Sequence, residues 1–241
     1  MEHSIAAEIS EQTGALTGAA TIATFPRSSK DVLPTESFAY QVAKRVFDLA
    51  LSLLLLPIAG VLIAAIALAV ALTGGGPIIY RQQRIGRGGR PFMILKFRTM
   101  HADCGRILRK HLEHDTGAQQ EWRQNRKLRS DPRVTPLGKM LRQTSLDELP
   151  QLLNILAGEM SFVGPRPIVS EETPKYAESL EYYLAARPGL TGLWQVSGRC
   201  NLPYESRVML DEAYVRRWTL GADLWILLQT PHAVWRRDGA C

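Results

Sequence analysis

Residues 49–72 read LALSLLLLPIAGVLIAAIALAVAL, and no charged residue occurs between Asp48 and Arg81. As a helix, those 24 residues are about 36 Å long at roughly 1.5 Å per residue, enough to cross the hydrocarbon core of a bilayer. The stretch lies too far from the N-terminus, and is too long, for a cleavable signal peptide, whose apolar core is roughly 7 to 15 residues. Pro57 removes a backbone hydrogen bond and crowds the preceding turn, and Gly60 follows one turn later, so a break is expected there. Lys44 and Arg45 precede the segment, while Arg81, Arg84, Arg87 and Arg90 follow it. Positive charge on both flanks places both ends on the cytoplasmic side, which a re-entrant helix-break-helix satisfies. An ordinary kinked span with the N-terminal tail outside is the other reading.

The chain has 241 residues, 46% of them hydrophobic and 22% charged, which suits one filled domain with an appendage and excludes a short tethering peptide. Its three cysteines, Cys104, Cys200 and Cys241, have no metal-like spacing, which argues against a disulfide scaffold or a cysteine zinc site. His101, His111, His114 and His232 likewise lack a metal spacing. The net charge of +6 is uneven: residues 1–40 carry −3 and the remainder +9, with +11 concentrated between Arg81 and Arg142. No zinc, RRM or basic-zipper pattern accompanies this charge, so nucleic acid is not the expected partner. Beside a membrane helix, anionic inner-membrane lipids and a phosphorylated substrate are.

These features divide the chain into a disordered tail (1–40), a membrane helix (41–76) and a cytoplasmic catalytic domain (77–241). In that domain, Ile78–Tyr80 and Phe92–Phe97 read as two short strands joined by the glycine-rich basic turn Arg84 to Arg90. A polar helix is expected from Ala102 to about Trp122. The fold class is α+β and mainly helical.

The segment TSLDELPQLLNIL, residues 144–156, opens like a capping box in which Ser145 caps and Glu148 reaches back. Leu149, Leu152, Leu153 and Leu156 recur at the spacing of one buried face, and Gly158 supplies a stop. Asp147 and Glu148 then lie near the positive end of a helix and outside its core. Acidic residues in a first turn commonly do no more than complement the dipole. Here, however, Arg142 lies just upstream and the stiff Gly164-Pro165-Arg166-Pro167 loop follows, able to hold Arg166 as a phosphate fork. Dipole and arginines together would keep Asp147 ionised at neutral pH, ready to act as a nucleophile on phosphorus or as a metal ligand.

Several motifs in order carry a resemblance. They are Lys44-Arg45-Val46-Phe47-Asp48, Arg84-Ile85-Gly86, Leu95-Lys96-Phe97-Arg98-Thr99-Met100, Asp131-Pro132-Arg133, Thr144 to Gln151, Ser161 to Pro167, and Arg187-Pro188-Gly189-Leu190-Thr191-Gly192. Over about residues 41–235 the chain resembles the bacterial sugar transferases, monotopic polyprenyl-phosphate phosphoglycosyl transferases, in the short form of the ExoY type. The resemblance implies transfer of a sugar 1-phosphate, galactose favoured and glucose next, from a UDP-sugar to undecaprenyl phosphate with release of UMP and with magnesium (Mg2+). This would be the first membrane step of exopolysaccharide synthesis, on the cytoplasmic face of the bacterial inner membrane. Carried over, Asp147 is the nucleophile, Glu148 and Asp147 hold Mg2+, and Arg142, Arg166, Lys96 and Arg98 neutralise phosphates. Many members carry Ser-Pro at the helix break; here the corresponding pair is Gly60-Val61 and the proline is Pro57. A non-catalytic membrane scaffold of a polysaccharide assembly complex is the competing reading.

Trp194 to Arg199 forms a compact polar loop in which Arg199 could bind the diphosphate or uridine, or could simply form a turn. Residues Asp211–Trp218 and Leu224–Leu228 read as amphipathic interfacial helices, with core packing as the alternative. A homodimer is compatible with this much interfacial surface.

Overall fold

The computed structural model describes residues 33–73, 75–125, 128 and 130–236. After a 3₁₀ turn at Pro34–Glu36, Ser37 caps the first helix, its hydroxyl accepting the Tyr40 N–H at 3.1 Å. Helix α1 therefore starts at Phe38, inside the stretch expected to be a tail; the rest of that expectation falls on residues 1–32, outside the described residues. It runs for 35 residues to Leu72, with its helical assignment continuous across Pro57 and Gly60. The expected break is thus not an interruption of the helix, because one proline removes one N–H while the neighbouring hydrogen bonds carry the helix on.

Both ends of α1 are held by the same body of protein. Near its start, Arg45 donates to the carbonyls of Ile155 and Leu156 at 2.6 and 2.7 Å, and Asp48 accepts from the Ser161 hydroxyl and the Phe162 N–H at 2.9 and 3.1 Å. Near its end, Val70 packs with Phe97 and Leu141, flanked by Ile63, Ile66 and Ala67, and Arg98 donates to the Val70 carbonyl at 3.1 Å. Between these anchors Leu53, Leu54, Ile58 and Val61 are exposed.

Strands β1 (Ile79–Ile85) and β2 (Pro91–Phe97) form the expected antiparallel hairpin, in register from Ile79 opposite Phe97 to Ile85 opposite Pro91. Its turn places Gly88 and Gly89 at φ of 66° and 76°, the left-handed region that a side chain would strain. Two helices, α2 (Cys104–His114) and α3 (Thr116–Asn125), replace the single polar helix expected there. Helix α4 (Pro136–Gln143) is capped by Thr135 and starts on Pro136. Its Gly138 lies so close to the Thr99 backbone that an added Cβ would overlap the Thr99 carbonyl, fixing α4 against the end of β2.

Next come a 3₁₀ turn at Leu146–Glu148 and helix α5 (Gln151–Ala157), which ends on Gly158 at φ 80°. Strand β3 (Ser161–Val163) pairs in parallel with β4 (Gly189–Thr191), a pairing that no local signal announced. Between them lie the short helices α6 (Thr173–Tyr176) and α7 (Leu180–Ala185); after them come α8 (Leu193–Ser197), α9 (Tyr204–Arg216) and α10 (Leu220–Arg236). Ile168, Tyr176, Tyr183 and Val208 form a second apolar cluster.

The two C-terminal helices behave differently from each other. Helix α9 buries Val208, Asp211, Tyr214 and Val215, so core packing is correct there and an interfacial role is not. Helix α10 buries Asp223 and Ile226 on one side while Leu220, Leu224, Leu228 and Trp235 are exposed, as an interfacial helix requires.

Candidate active site

Asp147 and Glu148 sit on the 3₁₀ turn between α4 and α5, and the local structure is not a capping box. Ser145 adopts φ 57° and caps nothing with its side chain, and Glu148 turns away to β2, where its Oε1 accepts from Lys96 Nζ at 2.5 Å. The pull of an opposite charge outweighs reciprocal capping, and Pro150, which lacks an N–H, starts the helix proper. The leucine face is corrected as well: Leu152 is buried together with Gln151, Asn154 and Ile155, whereas Leu153 is half-exposed.

Asn154 makes the dyad's position possible. Its side-chain amide donates to the Met93 carbonyl at 2.8 Å and to Glu159 at 2.7 Å, while its oxygen accepts the Leu95 N–H at 3.1 Å. Helix α5 is thereby pinned to β2 one residue from Lys96. An asparagine within a leucine-rich helix is the sequence signal that could have marked it.

The basic residues arrive from separate elements. Arg166 projects from the loop after β3, whose backbone is locked to β4 by the Gly189 N–H donating to the Pro165 carbonyl and the Gly164 N–H to the Thr191 carbonyl, at 2.8 and 3.0 Å. Gly164 and Gly189 allow this approach, since a Cβ on either would overlap the other loop's backbone. The Arg166 guanidinium lies 5.6 Å from the Trp194 ring centre. Arg142, on the last turn of α4, donates through Nε to the Thr99 hydroxyl at 2.9 Å. Arg199 has φ 54° and donates to the Ala233 carbonyl at 3.2 Å, and its loop is a short helix followed by a 3₁₀ turn rather than an open loop. Arg98 is placed elsewhere: it donates to the Pro77 carbonyl, the Val70 carbonyl and the Thr73 hydroxyl at 3.1, 3.1 and 3.2 Å, closing the end of α1. Arg84, on β1, lines the cleft beside Lys96, Glu148 and Arg166, a position its sequence context did not distinguish from an ordinary flanking charge.

The two carboxylates titrate apart. Burial and the neighbouring Glu148 charge push Asp147 up to about 6, against the opposing pull of Lys96 and Arg142. Burial also raises Glu148, but Lys96 and then Arg166 outweigh it, and its pKa ends below the ordinary value. Burial and Glu148 outweigh the arginines at Asp147, yet a value near 6 leaves the carboxylate mainly ionised at pH 7. A partly desolvated, mostly ionised carboxylate facing a cluster of cations suits attack on a phosphorus atom.

Among the described residues no group of three or more His, Cys, Asp or Glu side chains could hold a metal. Magnesium takes one or two carboxylates and fills its other positions with water and substrate phosphates, and Asp147 and Glu148 are the carboxylates that could supply them.

A family model for bacterial sugar transferases matches residues 39–237. The chain is 49% identical over 197 residues to an undecaprenyl-phosphate galactose phosphotransferase of Salmonella typhimurium, covering 82% of this chain and 41% of that one. It is 47% identical over 217 residues to the exopolysaccharide production protein ExoY of Rhizobium meliloti, covering 88% and 96%. A UDP-glucose:undecaprenyl-phosphate glucose-1-phosphate transferase of Caulobacter vibrioides is 39% identical over 215 residues, covering 86% and 75%. The chain thus spans about two fifths of the Salmonella protein and nearly the whole of ExoY. With the match running from the start of α1 through the end of α10, the chain belongs to the bacterial sugar transferase family.

Proposed function

We propose that the protein transfers a hexose 1-phosphate from a UDP-hexose to undecaprenyl phosphate, releasing UMP, as an initiating step of exopolysaccharide synthesis. The observation that carries this reading is the dyad itself: a mostly ionised Asp147 on a rigid turn, beside Glu148 and a cluster of cations, in a body held to an apolar helix. The Asp147 carboxylate attacks the sugar-bearing phosphorus, forming a P–O bond as the bond to UMP breaks and the electron pair leaves on the UMP phosphate. An oxygen of undecaprenyl phosphate then attacks the same phosphorus, and the bond to Asp147 breaks, restoring the carboxylate. Asp147 and Glu148 would hold magnesium, which when bound neutralises diphosphate charge. Arg166, Arg142 and Arg199 stabilise charge on the equatorial oxygens, where phosphoryl transfer needs it. Galactose is the favoured sugar, since two relatives named for galactose transfer are 49% identical, while those named for glucose-1-phosphate transfer are 39% and 38% identical and a galactosyl transferase of Streptococcus agalactiae is 39% identical.

The placement of α1 supports a re-entrant helix. A spanning helix would need roughly 30 Å free of the domain. Here the segment between the buried Ser52 and the packed Ile63 is Leu53–Leu62, only about 15 Å of helix at roughly 1.5 Å per residue. The catalytic body would then lie against one leaflet, on the cytoplasmic face of the inner membrane, where the prenyl chain stays in lipid while its phosphate reaches the dyad.

The test is UMP release by the purified protein with magnesium and undecaprenyl phosphate, across UDP-galactose, UDP-glucose and UDP-N-acetylhexosamines. Lipid-dependent UMP from one donor, lost in Asp147→Asn, is the expected result. Silence with every nucleotide sugar, from folded protein, would overturn the transferase reading and favour the scaffold.

A further inference from the structure

Three residues that line the cleft each bury a polar atom with no hydrogen-bond partner among the described residues: Gln151 its Nε2, Gln195 its Oε1 and Arg84 its Nε. They come from α5, α8 and β1, and Gln151 is only 2% exposed. Burying such groups unpaired costs free energy, which a ligand's polar groups would offset. Gly192 has no side chain; a Cβ there would come within 2.3 Å of the Gly164 carbonyl oxygen and 2.7 Å of Gln195 Oε1, so the glycine admits both. Lys96, Glu148 and Arg166 line the same cleft.

We propose that Gln151 and Gln195 hold hydroxyl groups of the donor's hexose beside the dyad, an assignment that rests on the transfer reading above. Cations meet the diphosphate, whereas neutral carboxamides offering both a donor and an acceptor match hydroxyls, which do both. The geometry of displacement selects the hexose over the ribose. In an in-line reaction the leaving UMP lies opposite the attacking Asp147 oxygen, and the sugar oxygen is equatorial, to the side of the attack line. Gln151 follows the nucleophile by four residues on the same continuous turn and helix, so it flanks the attacking side, which the leaving uridine phosphate does not reach. Arg84 Nε completes the rim with a charged donor.

The experiment is equilibrium binding of UDP-galactose, UDP-glucose and UMP to the full chain in detergent, for the parent protein, Gln151→Leu and Gln195→Leu, with melting temperatures recorded. Each variant is expected to bind its UDP-hexose about tenfold more weakly, the worth of one hydrogen bond, while UMP affinity and melting temperature hold. An unchanged UDP-hexose affinity overturns the proposal. So does an equal loss for UMP, which would move the carboxamides to the nucleoside, and so does a fall in melting temperature with loss of every ligand, which would make them structural. A parent protein that binds UDP-hexose with this contrast but releases no UMP with undecaprenyl phosphate would refute the transferase reading alone.

Discussion

Asp147 carries two opposing demands, since a nucleophile should be ionised and a buried carboxylate resists ionisation. With its pKa raised to about 6, kcat/KM in low-magnesium buffer should fall as pH drops through about 6, while protein with ordinary carboxylates would keep its activity down to about 4. A pH–rate profile flat from 5 to 8 would refute this. The stability consequence has the opposite sense. A folded-state pKa above the unfolded one adds stability that is fully present below the unfolded value and lost as pH rises through about 6. At pH 7.5, metal-free Asp147→Asn should therefore be inactive yet more stable than the parent by about 1–3 kcal/mol, read from denaturant unfolding. The Asp147-Glu148 pair could be singled out in the sequence as the candidate site. The titration order could not be read there, because it depends on Lys96 arriving from another element.

Helix α5 shows how an element sets the geometry of single atoms. Asn154 ties it to β2 by way of the Met93 carbonyl and the Leu95 N–H, both of which are part-buried and lose this partner in Asn154→Ala. That variant should lose about 2–4 kcal/mol of stability and at least tenfold in kcat, since the Lys96–Glu148 pairing depends on the same register. Normal kcat with reduced stability would show that the dyad does not need this tie. Helix α1 is docked by a similar device: Lys44 and Asp223, 1% and 0% exposed, pair at 2.6 Å, and Tyr214 shares both partners. Lys44→Met leaves Asp223 charged and buried and should cost about 3–5 kcal/mol, with Lys44→Met/Asp223→Leu recovering most of it. Equal melting temperatures for the single and double variants would argue against the pair as the cause. The hairpin was readable from its glycines and apolar runs, and α10 from its apolar spacing. Helix α9 was misassigned because its aromatic and basic residues, which suit an interface, also suit packing against α7 and α8.

For the molecule in its membrane, the relation of α1 to the catalytic body has a direct consequence. Both ends of the helix are bound by one body, by Arg45 and Asp48 at the start and by Val70 and Arg98 at the end. On the proposed re-entrant placement, a cysteine introduced at Ser10, in a variant lacking the native cysteines, should be protected from an impermeant maleimide in intact cells and labelled after lysis. Labelling in intact cells would place the N-terminus outside and require α1 to span.

The apolar segment, the basic hairpin and the acidic pair are local properties of composition and spacing, and residues 49–72, 84–90 and 144–156 determined them without reference to the rest of the chain. Only the tertiary structure decided which charges meet. Lys96 reaches Glu148 across 52 positions of sequence, Arg98 is spent on the end of α1, and the Arg166 loop is held by a parallel pairing with β4. Electrostatic partnership depends on distance in space, which propensity and periodicity do not encode. The same holds for Gln151 and Gln195: the sequence shows two ordinary glutamines, and packing alone brings them to one cleft, each with a buried polar atom that has no partner among the described residues.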